Sequence, residues 1–206
     1  MTASPNCFVF STVLVATLCA GAARADFIIS APDISAAPGS SGSFEILLSA
    51  TGSSAANIGA FSFDISTAGS NLAFTGATPT GGAARYIFAG DSFVAINGFP
   101  FATRTGQELT ASDLSNNGVP VFVAAPNVFS LGTVLYSISP SAASGLLPIT
   151  FSISGTSLSS PSGQGVPFTT ANGQITITPE PTEITLLVAA LGVLALRRVW
   201  HRQGRP

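Results

Sequence analysis

Short apolar runs separated by turn residues are the feature that most constrains the fold of this chain. Between residues 26 and 178, Gly, Pro, Ser, Thr and Asn recur about every eight to twelve residues, and no helical stripe persists between them. In one run, Phe61, Phe63 and Ile65 lie on one face of a strand and the residues between them are polar. Many short strands of this kind predict an all-β fold, a β-sandwich.

The predicted strands are the short apolar runs between these turn residues: Phe27–Ser30, Ser43–Ser49, Ile58–Ser66, Leu72–Thr75, Tyr86–Ala89, Phe93–Asn97, Val119–Ala124, Val128–Ile138, Ile149–Ser154 and Gln174–Thr178. Within the longest of them, Val134, Tyr136 and Ile138 share one face. Glu108–Leu114 is the one segment predicted to form a helical turn. Asn116–Gly118 is predicted to form a tight turn, and Thr156–Thr170 a loop.

The N-terminus has the features of an export signal. Phe8–Leu18 is mostly apolar, and Ala23 and Ala25 supply the small residues that signal peptidase prefers at positions −3 and −1. We expect residues 1–25 to be a cleaved signal peptide, which makes Asp26 the first residue of the mature chain.

Charge and reactive side chains exclude several functions for residues 26–178. This segment has seven acidic and two basic residues, Arg85 and Arg104, so nucleic acid is not an expected partner. Cys7 and Cys19 lie in the predicted signal peptide, and the single histidine, His201, lies near the C-terminus. Cysteine and histidine nucleophile mechanisms and histidine or thiolate metal sites are therefore excluded, and no cofactor is expected.

Carboxylates are the remaining candidates for catalysis. Asp91, Glu108 and Asp113 are the best available pair-forming acids for glycoside hydrolysis, and Asp91 with Asp113 is also a candidate oxygen-ligand Ca²⁺ site. They are scattered, no Asp-x-Asp-x-Asp loop is present, and such acids are usually solvated groups or turn caps. We therefore predict no catalytic residue and no metal site, and a protein that is not an enzyme.

Carbohydrate binding would need exposed aromatic side chains. Tyr136 falls on the apolar face of its strand and is predicted to be in the core, whereas Tyr86, after a Gly-Gly turn, is the better surface candidate. Phe99 and Phe101, beside Arg104, are candidates for an apolar loop tip.

The C-terminus combines a motif, an apolar run and a basic tail. Pro179, Glu180 and Pro181 precede an uncharged run of 13 residues, Ile184–Leu196, which arginines follow: Arg197, Arg198, Arg202 and Arg205. As a helix the run spans about 20 Å, which also suits a core helix. Its apolar residues occupy every face, however, and the arginines follow at once. The pattern favours a single C-terminal hydrophobic helix in the membrane, with its arginine end in the cytoplasm.

This tripartite end, at residues 179–206, resembles the PEP-CTERM sorting signal of exported proteins of Gram-negative bacteria. The resemblance implies that Pro179, Glu180 and Pro181 are the processing motif recognised by an exosortase, with the arginines setting membrane orientation. It also implies that the protein crosses the inner membrane and becomes membrane-anchored or is delivered to the cell surface or extracellular matrix.

The middle of the chain, residues 26–178, has a second resemblance. Ile58–Ser66 followed by Asn71–Gly76, and Leu131–Ile138 followed by Ile149–Ser154, resemble strands of cohesin-like domains. The resemblance implies a jelly-roll sandwich of about nine strands, related to some carbohydrate-binding modules, and it supplies no motif for a dockerin partner. We therefore expect an exported, non-enzymatic surface or matrix protein. The alternative is a module that binds exopolysaccharide at the cell envelope.

Overall fold

The structure is a computed structural model that describes residues 27–178 together with positions 189, 191 and 193. Residues 27–178 form one short helix, α1 (Phe93–Asn97), and fifteen strand segments. The strands are β1 (Phe27–Ser30), β2 (Asp33–Ala36), β3 (Ser41–Ala50), β4 (Ala55–Ile58), β5 (Ala60–Thr67), β6 (Leu72–Thr78), β7 (Arg85–Tyr86), β8 (Ala102–Thr105), β9 (Glu108–Leu114), β10 (Val121–Ala124), β11 (Val128–Ile138), β12 (Gly145–Phe151), β13 (Ser157–Ser159), β14 (Thr169–Ala171) and β15 (Gly173–Ile177).

Two sheets make up the sandwich. Sheet I has the order β14-β1-β3-β11-β6, with β7 beside β11. Sheet II has the order β2-β15-β12-β5-β9-β8, with β13 beside β5, and β4 and β10 form a separate two-stranded ribbon. The predicted all-β sandwich is therefore confirmed. The segments outnumber the expected nine because several are short pieces of two to four residues.

Strand alternation places the core as predicted. On β5, Phe61, Phe63 and Ile65 are buried, and on β11 the predicted face of Val134, Tyr136 and Ile138 is buried as well. Aromatic rings from both sheets are part of one continuous hydrophobic core. Burial of these large side chains is the main source of stability for a fold of this kind.

The first and last strands of the sandwich run side by side and cross together from sheet I to sheet II. β1 pairs in parallel with β14, and β2 in parallel with β15. At the crossing, the Ala31 N–H donates to the carbonyl of Ala171 at 3.1 Å. A Cβ on Gly173 would lie 2.5 Å from the Pro32 carbonyl oxygen, so this close approach requires glycine. Because both pairs are parallel, Phe27 and Thr178 lie at opposite ends of the sandwich.

Two predicted elements are wrong in type. Phe93–Asn97 was expected as a strand but forms α1, because Ser92 caps its N-terminus through the Ala95 N–H, and Gly98 ends it in the left-handed conformation at φ 69°. Glu108–Leu114 was expected as a helical turn but forms β9. Its buried positions alternate, but they are occupied by a Leu, an Ala and an Asp, which hides the strand pattern.

Smaller differences concern the loops. Tyr86–Ala89 was expected as a strand, yet only Arg85–Tyr86 pairs with a neighbour before the chain turns. The predicted loop Thr156–Thr170 contains β13 and the start of β14. The turn predicted at Asn116–Gly118 is confirmed at Asn116 and Asn117.

The predictions for the two ends of the chain fall outside the described residues. These are the signal peptide, the Pro179–Pro181 motif, the apolar helix apart from positions 189, 191 and 193, and the arginine tail. Among the residues that the structure describes, no helix has the length and apolar character needed to cross a membrane.

Candidate functional site

A buried carboxylate organises the end of the sandwich at which β9 finishes. Asp113 is only 2% exposed, and it points into the core side of β9. It accepts hydrogen bonds from the Tyr86 hydroxyl at 2.5 Å, the Val94 N–H at 3.1 Å and the Leu114 N–H at 2.8 Å. These donors compensate the loss of water around the carboxylate. Asp113 thus joins β7 and α1 to β9.

The Tyr86 hydroxyl is suited to this bond because it keeps its proton. Burial raises the pKa of Tyr86 far above its ordinary value, and the adjacent Asp113 carboxylate raises it further. The hydroxyl therefore remains a donor at physiological pH, and it serves as a structural link.

Asp91 makes a second anchor next to the first. Its carboxylate accepts from the Ser115 hydroxyl at 2.5 Å and from the Asn117 backbone and side-chain N–H groups at 3.2 and 2.5 Å. Ser92 and Ser115 also form an isolated β-bridge. These contacts fasten the start of α1 to the turn after β9, so Asp91 serves as a turn cap, as expected.

The loop between β6 and β7 is held by a carboxylate from sheet I. Glu45, on β3, accepts from three successive backbone N–H groups, those of Gly82, Ala83 and Ala84, at 2.6, 2.8 and 3.3 Å. Partial burial raises the pKa of Glu45, but the three N–H donors outweigh it, so the pKa lies below its ordinary value. The loop is thereby folded over the outer face of β3.

A groove of about 620 Å³ lies between this loop, the Tyr86–Ser92 segment and α1. Its lining is mostly apolar, with small residues in the loop and Phe88, Ala95 and Ile96 on the helix side. Arg85 is the one charged residue of the lining.

The outer face of sheet II is broad and rich in hydroxyl groups. Thr103 on β8 pairs with Thr110 on β9, and both are exposed, as are Thr105, Glu108 and Ser112. Such a face offers many hydrogen-bonding groups and no exposed aromatic ring among these residues.

The structure does not bring the proposed carboxylates together as a catalytic pair. Glu108 is exposed on the outer face of sheet II, as expected of a solvated group, whereas Asp113 faces inward. The expectation that Asp113 is a surface group or turn cap is wrong. Within the described residues there is no group of three or more side chains placed to hold a metal ion.

Two of the three aromatic candidates for sugar stacking, Tyr86 and Phe101, are wrong as well. Tyr86 and Phe101 are 5% and 7% exposed and form edge-to-face contacts in the core. Phe99 is exposed, and Tyr136 is buried, as predicted. The sequence does contain a signal for the buried position of Asp113. Once Glu108–Leu114 is recognised as a strand, Asp113 falls on the same face as Leu109 and Ala111, which is the buried face.

Solved structures similar to this chain include cohesins and their complexes with dockerins. CaCohA2 from Clostridium acetobutylicum matches with a TM-score of 0.58 and 17% identity, covering 74% of this chain and 90% of that one. The sixth cohesin of Acetivibrio cellulolyticus scaffoldin B, in complex with a dockerin, matches with a TM-score of 0.56 and 17% identity, covering 74% and 99%. A non-cellulosomal cohesin from the archaeon Archaeoglobus fulgidus matches with a TM-score of 0.54 and 15% identity, covering 78% and 97%.

These matches establish a cohesin-like β-sandwich fold for the chain, which confirms that expectation. No family model matches the sequence, and no curated protein matches it. At these identities the similarity is one of fold.

Proposed function

We propose that this chain is an exported, non-enzymatic surface or extracellular-matrix protein of a Gram-negative bacterium, sorted by an exosortase through Pro179, Glu180 and Pro181. In this proposal Ala23 and Ala25 direct cleavage of the signal peptide, and the arginines after Leu196 hold the C-terminal end at the cytoplasmic side. The exosortase and the membrane are the partners in sorting.

The observation that supports this order of parts is where the sandwich ends. Its last strand, β15, finishes at Ile177, and the Thr178 N–H donates to the Ala36 carbonyl at 3.0 Å. The motif therefore begins at the residue that follows the last hydrogen-bonded position of the sandwich. A processing motif directly after a complete folded unit suits delivery of that unit as a whole.

A role other than catalysis is supported by the state of the carboxylates. Asp91, Asp113 and Glu45 each accept two or more hydrogen bonds from the fold itself. Carboxylates used in this way stabilise loops and are poorly placed to exchange protons with a substrate. We assign them structural roles.

Binding of a partner protein is a better-supported role for the sandwich than binding of exopolysaccharide. The similar cohesin from Acetivibrio cellulolyticus is described in complex with a dockerin. The exopolysaccharide alternative depends on exposed aromatic rings, and of its three candidates Tyr86 and Phe101 are buried and only Phe99 is exposed. Polysaccharide recognition would have to use Phe99 or the hydroxyl-rich outer face of sheet II.

The sorting proposal is tested by Glu180→Ala in the native host, with Glu183→Ala as the matched control just outside the motif. Intact masses are measured for the protein from the envelope and the medium. The wild type and the control are expected to begin at Asp26 and to end near Pro179–Pro181, whereas Glu180→Ala retains the arginine tail. Identical processing of all three proteins would contradict the proposal.

A further inference from the structure

The groove beside α1 is an open depression with a mostly apolar lining. Its volume of about 620 Å³ lies in the range of small-molecule pockets. Ala95 and Ile96 of α1 are exposed apolar residues of the lining, and the loop supplies Gly and Ala residues. Ile96 is 54% exposed at the rim, where a bound aliphatic group would cover it.

The hydroxyl groups in the lining are already engaged within the fold. The Thr80 hydroxyl lies 2.8 Å from that of Thr78, the Tyr86 hydroxyl donates to Asp113, and Ser92 caps α1. A sugar or a peptide backbone needs many new hydrogen-bonding partners when it leaves water. A groove with its hydroxyls engaged instead favours a ligand that is mostly hydrocarbon.

Arg85 gives the groove a positive charge in a domain in which acidic residues outnumber basic ones by seven to two. It is exposed, and within the described residues it makes no ion pair. Asp91 is the carboxylate nearest to Arg85 in the sequence, and Glu45 is the one that binds the adjacent loop. Asp91 accepts a hydrogen bond from Ser115, and Glu45 accepts one from the Gly82 N–H. No Asp or Glu lines the groove. A guanidinium without a carboxylate partner selects an anion.

The groove lies at the end of the sandwich opposite Thr178. α1 contacts the end of β9, where Leu114 pairs with Ala60 at the start of β5. The other end of β5, at Thr67, pairs with Ile149 of β12, and β12 pairs in turn with β15, where Ile177 lies opposite Gly145. The groove thus lies at the end of the sandwich away from the point at which the chain leaves it.

We propose that this groove binds an amphiphile that has one aliphatic chain and one anionic head group. The aliphatic chain lies against Ala95 and Ile96, and the head group pairs with Arg85. This inference goes beyond the proposed function and does not depend on sorting.

The test uses the full chain in phospholipid nanodiscs and a photoreactive diazirine analogue of octanoate, with cross-linked peptides identified by mass spectrometry. We expect labelling within residues 79–96, which octanoate displaces and its neutral isostere octanamide does not. At subsaturating probe, Arg85→Gln is expected to lower the labelling about fivefold, the upper range for an exposed ion pair. Arg104→Gln is the matched control, because Arg104 lies on β8 outside the groove, and it is expected to leave the labelling unchanged.

Ile96→Asn tests the aliphatic contact separately and is expected to weaken labelling while Arg85 is intact. Equal thermal unfolding of the three variants and the wild type shows that the fold is unchanged. The proposal is overturned if Arg85→Gln labels like the wild type, if octanamide competes as well as octanoate, or if labelling falls outside residues 79–96. It is also overturned if a short apolar peptide with a free carboxylate displaces the probe more strongly than octanoate does.

Discussion

At the scale of single residues, the contact between Tyr86 and Asp113 is the one on which the end of the sandwich depends. Asp113 is buried, and its three donors come from three different segments. A buried carboxylate that loses one hydrogen-bond donor still lacks the water that would solvate it. Removing a donor therefore lowers the free energy of unfolding by more than an ordinary hydrogen bond contributes.

Tyr86→Phe removes the hydroxyl and is expected to lower the free energy of unfolding at neutral pH by about 1–3 kcal/mol. Tyr136→Phe is the control, because Tyr136 is similarly buried but its hydroxyl makes no hydrogen bond in the described part of the chain. The pKa of Tyr86 is raised above its ordinary value of 10.0. Its contribution is therefore complete below pH 10 and declines at higher pH.

Chemical denaturation at neutral and alkaline pH measures both effects. The difference in the free energy of unfolding between the wild type and Tyr86→Phe should shrink above pH 10. There the unfolded wild-type chain releases the Tyr86 proton while the folded chain keeps it, which stabilises the unfolded state of the wild type only. A Tyr86→Phe variant as stable as Tyr136→Phe at neutral pH would show that Asp113 does not need the hydroxyl.

At the scale of elements, an irregularity in β11 explains why Phe101 is buried. The pairing of β11 with β3 shifts register between Ser130 and Gly132, and Gly132 has φ of 145°. A Cβ at this position would lie 2.7 Å from the Phe101 ring. The bulge therefore makes room for the ring, which contacts Phe61 and Phe63 on the facing sheet.

Gly132→Ala is expected to lower the free energy of unfolding by about 2–3 kcal/mol, because it strains the backbone and displaces the Phe101 ring. Gly76→Ala, on the neighbouring strand β6, is the matched control, since no atom lies within 4 Å of its added Cβ. Thermal or urea unfolding of the two variants makes the comparison. Equal stability of both would mean that β11 adapts without cost.

At the scale of the whole molecule, the paired terminal strands close the sandwich. β15 lies between β2 and β12, and its Ile175 and Ile177 are 0% and 2% exposed. Formation of this part of sheet II thus requires both ends of residues 27–178, which are far apart in the sequence. Such long-range pairing makes the fold an all-or-none unit.

A chain of residues 26–178 is expected to unfold cooperatively, because the strands and the core described above are contained in it. A chain that stops at Asn172 lacks β15 and is expected to lose the cooperative transition, since both Ile side chains and the pairing with β2 are missing. Circular dichroism during heating distinguishes the two. Cooperative unfolding of the shorter chain would show that β15 is dispensable.

The sequence by itself determined the sandwich, most of its strands and the absence of cysteine and histidine from residues 26–178. Alternation is a local property, so Phe61, Phe63 and Ile65 reveal their common face without knowledge of any other segment. The export and sorting signals are likewise local patterns, and they remain predictions.

Only the tertiary structure decided the surroundings of Tyr86, Phe101 and Asp113. The residues that bond to Asp113 across the fold are 27 and 19 positions away in the sequence, and Phe101 is covered through a bulge in a distant strand. α1 has five residues, too few for a helical period to appear. Burial and the groove at Arg85 depend on which segments meet in space, and no local pattern contains that information.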